Sequence, residues 1–483
     1  MMRKPNIIYF MSDQHNASVL GCAGDPYVKT PHMDKLAASG TMLENCYTNS
    51  PLCGPSRASM LSGLLPSETG IYNNMQCLPS DKATFAHALS VAGYETVLSG
   101  RMHFVGPDQR HGFEKRFVGD ITPSFFGMDN EAEIYGPLKR TSNQKRIGIE
   151  KSGAGHSAVL DFDNDVVDEA CSYIKDREDE RPLFMTIGLY GPHSPYICPK
   201  DLFDYYYNVL PMPKEITDEF RNNVHPAIKG WYDRRALNDI TTEEIRRVRA
   251  AYYGMVTYVD NLLGKVLETV EAQLGLENTL IIYGSDHGDN IGEHGLFWKT
   301  NFYEGSSRVP AIFSWKNVIP ENTKIKGLTS LLDFAPTLID FAQAPNLPKM
   351  QGESLLSCLT RGQEVEEDRV VISQLGDIKG DPPSAMIRQG DYKLINHYGY
   401  DIPQLFNLAS DPGELVDLAS DEKYEDIKRA LEKELTMYWD PEKAYKDLQN
   451  NLAHFDILQK WGHMTDVKPI EEWRGDVSNN YLL

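Results

Sequence analysis

Long apolar runs are missing from this chain. No stretch approaches the roughly 18 consecutive apolar residues that a membrane-spanning helix needs, so no membrane association is expected. The opening, Met1-Met2-Arg3-Lys4-Pro5, runs directly into a short apolar segment that ends at Asp13. It lacks the extended apolar region and small-residue cleavage site of a secretory leader. The expectation is a cytoplasmic protein as written, or a periplasmic or secreted one if a leader has been trimmed. Cysteine is scarce and unpaired: the 7 cysteines are scattered, odd in number and without CxxC spacing, which argues against a disulfide scaffold or a zinc ribbon. Positive charge is also in deficit. With 48 Lys and Arg against 69 Asp and Glu, the net charge is −21, which disfavours a nucleic-acid partner because phosphate binding needs a basic surface. There is no internal repeat and no low-complexity tract.

What is present is enough for a large core: 483 residues, 41% of them hydrophobic, predict two or more folding units. Apolar strand-like runs alternate with amphipathic stretches, the pattern of an α/β domain built on a large, mostly parallel sheet flanked by helices. Strands are expected over Asn6–Met11, Thr41–Tyr47, Glu95–Ser99, Leu183–Leu189 and Thr279–Tyr283. Helices are expected over Pro31–Ser39, from about Pro55, over Thr84–Ala92 and over Glu243–Gln273. The region between Arg101 and Leu183 reads as loop-rich. A charged, loop-like stretch from Gln351 to Arg369 divides this domain, residues 1–360, from a smaller α+β subdomain, residues 361–483. In the subdomain, strand-like runs Val370–Gln374 and Ser384–Ile395 precede a helix over Glu422–Trp439.

Polar segments follow the expected strands: Asp13-Gln14, Cys53-Gly54-Pro55-Ser56-Arg57, Arg101-Met102-His103, Gly191-Pro192-His193-Ser194-Pro195 and Ser285-Asp286-His287-Gly288-Asp289. Open α/β sheets place ligands beyond the carboxyl ends of their strands. A helix starting near Pro55 fits proline in its first turn and aims its positive end at an anion near residue 53. Arg57 lies one turn after Cys53, so the two side chains can share a face.

CGPSR matches CxPSR, the sequence at which sulfatase-maturing systems oxidise cysteine to formylglycine. PNIIYFMSDQ, TPHMDKLAASG, SGRMHFVG, GPHSPY, YGSDHGD and LFNLASDPGEL extend the likeness from Pro5 to about Leu418. The chain resembles the formylglycine-dependent sulfatase family of the alkaline phosphatase superfamily, and GRMHFVGPDQRHGFE looks most like choline sulfatases. The resemblance implies that Cys53 is converted to formylglycine by a sulfatase-maturing enzyme. Hydrated, that group is a geminal diol: one hydroxyl attacks sulfur, and deprotonation of the other collapses the sulfated hemiacetal.

The family pattern further implies Asp13, Gln14, Asp286, His287 and position 53 as ligands of a divalent metal, calcium first, with manganese or magnesium as alternatives. Two aspartates and Asp-Asn are commoner at these segments. The Gln14 and His287 departures are shared with the choline sulfatase and phosphonate monoester hydrolase branches, and an imidazole ligand suits manganese as well as calcium. By the same resemblance, Arg57 steadies the diol, Arg101 binds sulfate where relatives carry lysine, His103 removes the diol proton, and His193 and Lys299 protonate the leaving alcohol. His111, His156, His225 and His397 read as structural histidines, although His111 lies close enough in sequence to touch substrate.

The substrate is expected to be choline sulfate or a sulfated sugar such as a glycosaminoglycan unit. Choline would need an acidic or aromatic cage, for which Phe125, Phe126 and Asp129 are candidates. A sugar would favour basic groups at the mouth, such as Lys139, Arg140, Lys145 and Arg146. A phosphonate monoester or phosphodiester hydrolase and a catalytically silent binding protein are the alternative functions, and a homo-oligomer is an open expectation.

Overall fold

A computed structural model describes residues 4–122, 138, 141, 143–212, 217, 221, 223–377, 381–465, 471–473, 475–476 and 479–483. Phe125, Phe126, Asp129, Lys139 and Arg140 lie outside the described residues.

The main sheet has 8 strands in the order Thr323–Ser330, Thr41–Tyr47, Ala311–Ser314, Thr279–Ser285, Asn6–Asp13, Leu183–Pro192, Glu95–Gly100, Lys115–Phe117. Ala311–Ser314 is antiparallel to both its neighbours, and the other pairings are parallel. Asn6–Asp13 and Thr279–Ser285 are buried along their whole length, which is why they read as continuous apolar runs rather than alternating ones. One face packs Ile8, Phe10 and Val97 against Val166 and Val259 of the helices Ala158–Asp176 and Thr242–Gln273. The other packs Ile7, Tyr9 and Leu98 against Met60, Phe85 and Phe334 of the helices Cys53–Ser62, Phe85–Val91 and Phe334–Ala342.

The helix Thr242–Gln273 begins with a capping box, in which Thr241 Oγ1 accepts from Glu244 N and Glu244 Oε2 accepts from Thr241 N. This satisfies two otherwise unpaired amide groups at its start. The helix expected from Pro55 begins at Cys53 and stops at Gly63, whose φ of +70° ends it in the left-handed region.

Three expectations change. The loop-rich region after Arg101 contains the helix Ala158–Asp176, whose Val159, Phe162, Val166, Ala170 and Ile174 are buried. The single run Ser384–Ile395 is two strands, Ser384–Gln389 and Tyr392–His397, joined at Gly390-Asp391. Gly390 has φ +55°, as a tight hairpin with glycine first in the turn requires. With Val370–Leu375 and Gln404–Asn407 they form a 4-stranded antiparallel sheet. The stretch Gln351–Arg369 includes a short helix, Leu356–Arg361. One face of the smaller sheet packs Met386, Ile395 and Phe406 with Phe302 and Tyr303 of the larger domain. The other packs Ile387 and Leu405 with Leu431, Leu435 and Leu448 of the helices Glu425–Leu435 and Pro441–Thr465.

Among the described residues, no helix is long and apolar enough to cross a membrane.

Candidate active site

Asp13 ends the central strand, and Gln14 turns the chain away with φ +69°. The neighbouring parallel strand delivers Asp286 and His287 beside them, because Ser12 pairs with Ser285. Cys53 is placed opposite, as the first residue of its helix. Ser56 fastens that helix to the Asp286 segment by donating Oγ–H to Asp286 O at 2.6 Å. Asp13, Cys53, Asp286 and His287 are all buried, and one ligand atom from each lies within 4.8 Å of all the others.

Arg57 crosses beneath this group. Its Nη2 donates to Asp13 Oδ2 at 3.0 Å, its Nε to Asp286 Oδ2 at 2.8 Å and its Nη1 to Arg101 O at 3.0 Å. Asp13 Oδ2 also accepts from Arg101 Nε at 2.6 Å. Both arginines therefore spend one oxygen of Asp13 and leave Oδ1 facing Cys53 Sγ and His287 Nε2, each at 3.6 Å. His287 Nδ1 lies 2.9 Å from Gly288 O. A carbonyl only accepts, so Nδ1 carries a ring proton, and Nε2 lies 3.2 Å from Cys53 Sγ.

This donor set fits a divalent cation. Two buried carboxylates offer hard oxygen, and the imidazole has its tautomer fixed by the partner on its other nitrogen. Gln14 stands beside them: its Oε1 accepts from Lys299 Nζ at 2.5 Å and its Nε2 donates to Asp289 Oδ2 at 2.6 Å. It adjoins the cluster while holding Lys299.

Lys299 Nζ reaches Cys53 Sγ at 3.4 Å and forms a short contact with His193 Nε2. His193 Nδ1 donates to Ser194 O at 2.6 Å, leaving Nε2 to accept from the lysine. Burial raises the Cys53 thiol, but Lys299, His287, His103 and His193 around the sulfur outweigh it and hold the group well below the ordinary thiol range. Position 53 is thus built to stabilise negative charge. Burial and the adjacent ammonium push His193 down.

Arg101 is more committed than a sulfate-binding side chain was expected to be. Besides Asp13, its Nη1 donates to Asp120 Oδ1 at 2.8 Å and Thr122 Oγ1 at 2.7 Å, and its Nη2 lies 2.7 Å from His103 Nδ1. A guanidinium only donates, so His103 Nδ1 accepts and the proton of the neutral ring sits on its other nitrogen. For His103 to take a proton there, Arg101 must release Nδ1.

The structure brings every expected site residue together, while His156, His225 and His397 are bonded elsewhere. His111 packs at a tilt against Phe104, ring centroids 4.6 Å apart, and its Nδ1 lies 3.4 Å from Asp108 Oδ2. Three supports went unseen in the sequence. Asp120 Oδ2 accepts from His103 N at 2.9 Å while its other oxygen holds Arg101. Asp289 joins Gln14 to the Tyr196 hydroxyl, and burial raises it to about 7. Asp163 accepts from Tyr190 N and Gly191 N at 2.7 and 2.9 Å, shaping the His193 loop. Asp289 sat within the SDHGD segment and could have been singled out; Asp120 and Asp163 had no local motif.

The family model for sulfatases matches residues 5–344. The chain belongs to the sulfatase family. It is a sulfuric ester hydrolase by that membership, which also implies a divalent metal and a formylglycine. A model for the C-terminal region of N-sulphoglucosamine sulphohydrolase matches residues 292–440. The chain is 35% identical to a choline-sulfatase of Rhizobium meliloti over 435 residues, 86% of this chain and 82% of that one. It is 28% identical to arylsulfatase K of Rattus norvegicus, over 99% of this chain and 83% of the relative. Its fold matches that of a protein solved with its substrate D-glucosamine-2-N,6-O-disulfate, with TM-score 0.73 and 23% identity over 93% and 99% of the two chains.

Proposed function

We propose that this sulfatase cleaves a sulfate monoester at position 53 after Cys53 is matured to formylglycine, with calcium as the metal. The observation that carries the reading is the focus of His287, His103, His193, Lys299 and Asp13 on the Cys53 sulfur at the first turn of a helix. The sulfur marks where the oxygens of the matured group would stand. The hydrated aldehyde supplies one hydroxyl to attack sulfur and a second whose deprotonation expels sulfate and restores the aldehyde. Asp13, Gln14, Asp286, His287 and position 53 would hold the metal, which would supply positive charge to the sulfate oxygens.

The side chains divide the remaining work. Arg57 keeps both carboxylates aligned by bridging Asp13 and Asp286. Lys299 and His193 form the proton-donating pair for the leaving alcohol, with Gln14 holding the lysine in place. Arg101 shifts its Nη2 from His103 to the incoming sulfate. That shift frees His103 Nδ1 to carry the ring proton, so that Nε2 offers the lone pair that takes the proton of the second hydroxyl.

The competing assignment is phosphonate or phosphodiester hydrolysis by the same diol. Parallel kcat/KM measurements on p-nitrophenyl sulfate and p-nitrophenyl phenylphosphonate test the choice. Sulfate ester turnover at least tenfold more efficient is expected, and the reverse order would overturn the reading.

A further inference from the structure

Beside Lys299 the described residues form a polar cluster to which the chemistry above gives no role. Thr300 N donates to Pro51 O at 3.1 Å, two residues before Cys53. Thr300 Oγ1 accepts from Arg235 Nη2 at 2.6 Å and Trp231 Nε1 at 3.1 Å, and lies 3.1 Å from Gln144 Oε1. Gln144 Oε1 also accepts from Arg235 Nε and Nη2 at 3.3 and 3.1 Å. Asp381 Oδ2 accepts from Arg235 Nη2 at 2.7 Å, and its Oδ1 accepts from Arg234 Nη2 at 2.5 Å. The cluster is one step along the chain from the proton donor and one hydrogen bond from the segment that carries the nucleophile.

Its surplus is of donors and positive charge. Two guanidinium groups share one carboxylate. Among the described residues every bond of Gln144 uses its oxygen and Arg234 bonds Asp381 through Nη2, so the Gln144 Nε2 amide hydrogens and Arg234 Nη1 have no partner among them. The cluster is also partly open, with 34% of the Arg234 side chain and 13% of the Asp381 side chain exposed. The two features that would hold a quaternary ammonium here are both occupied. Arg235 covers the Trp231 ring at 4.1 Å, and Asp381 is neutralised by the arginines. An aromatic face already carrying a guanidinium cannot cage a second cation.

We propose, resting on the sulfatase reading, that Gln144 and Arg234, positioned by the fully bonded Arg235, form the subsite for the alcohol portion of the substrate, and that this portion is a sugar carrying a carboxylate. Its class is a sulfated uronic acid rather than choline sulfate. Forked guanidinium and amide donors suit carboxylate and hydroxyl acceptors. Arg235, fixed by Thr300 and Asp381, sets the distance between that subsite and Lys299.

Binding to the Cys53→Ala protein tests the subsite independently of turnover. Calorimetric titration with a 2-O-sulfated uronate disaccharide, 6-O-sulfated N-acetylglucosamine and choline sulfate should rank the uronate at least tenfold tighter than the neutral sugar, with choline sulfate weakest. Adding Arg235→Gln, or Gln144→Ala at the more exposed position, should shrink the uronate advantage at least fivefold. Choline sulfate binding as tightly as the uronate, or an advantage unchanged in both variants, would overturn the subsite. Failure of the matured wild-type protein to release sulfate from p-nitrophenyl sulfate would instead contradict the sulfatase reading, and the binding order would still decide the subsite.

Discussion

Arg101 and Asp120 show how far a single side chain is committed in this site. Asp120 is buried, and although burial raises its carboxyl, Arg101, His103 and Arg116 hold it well below the usual range. Removing it leaves a buried guanidinium short of a partner and His103 N without its acceptor. Breaking a buried ion pair in this way costs about 3 kcal/mol or more. Asp120→Ala is therefore expected to lower the urea midpoint by that equivalent and to reduce kcat. A variant with wild-type stability and kcat would show that Asp13 alone positions Arg101. Asp120 was illegible in the sequence because an aspartate after a short strand ordinarily caps a turn. Its role depends on a loop that returns it to Arg101, 19 positions away. Cys53, Arg57 and the SDHGD residues were legible because their motif fixes both spacing and chemistry.

At the scale of elements, the smaller sheet carries a pH dependence of its own. His397 ends the strand Tyr392–His397, bonded to Ser384 Oγ at 2.9 Å and Gln404 Oε1 at 3.2 Å. Burial, aided by the neighbouring His225, pushes it down to about 4. An unfolded histidine titrates near 6.5, so protons bind the unfolded chain more readily. The stability this residue contributes is complete above about pH 6.5 and declines as pH falls toward 4, by up to about 3 kcal/mol. Urea unfolding of wild type and His397→Gln at pH 7.5 and 4.5 should show a smaller loss in the variant; equal losses would mean that the ring is already solvated. The strands of the main sheet were legible as apolar runs bounded by polar segments, and the Thr242–Gln273 helix by its periodicity. The helix Ala158–Asp176 was passed over although Phe162, Val166, Ala170 and Ile174 keep helical spacing, because its interleaved aspartates and asparagine resemble loop composition. The Ser384–Ile395 run concealed a hairpin because Gly390-Asp391 is only two residues long between two apolar strands.

Across the whole molecule, the site is where four parallel strands, one helix start and the Lys299 segment meet. A cation there would tie Asp13, Asp286 and Cys53 together, so binding should stabilise the entire fold rather than one loop. A ligand at one hundred times its Kd adds about 2.7 kcal/mol. Treatment with EDTA is expected to lower Tm and abolish turnover, both restored by calcium; an unchanged Tm would place the cation elsewhere. The mixed sheet with its appended α+β unit followed from strand and helix alternation, whereas the packing of Met386, Ile395 and Phe406 onto Phe302 and Tyr303 required the three-dimensional contacts.

Position 53 is proposed to act only after oxidation of its thiol. Sulfate release from p-nitrophenyl sulfate should be measured for three proteins of equal concentration: the matured form, with formylglycine at residue 53 verified by peptide mass; the same chain with the Cys53 thiol intact; and Cys22→Ala in matured form. Multiple turnover is expected of the matured wild type and of Cys22→Ala at comparable rates, and none of the thiol form. Equal turnover with and without formylglycine would contradict it.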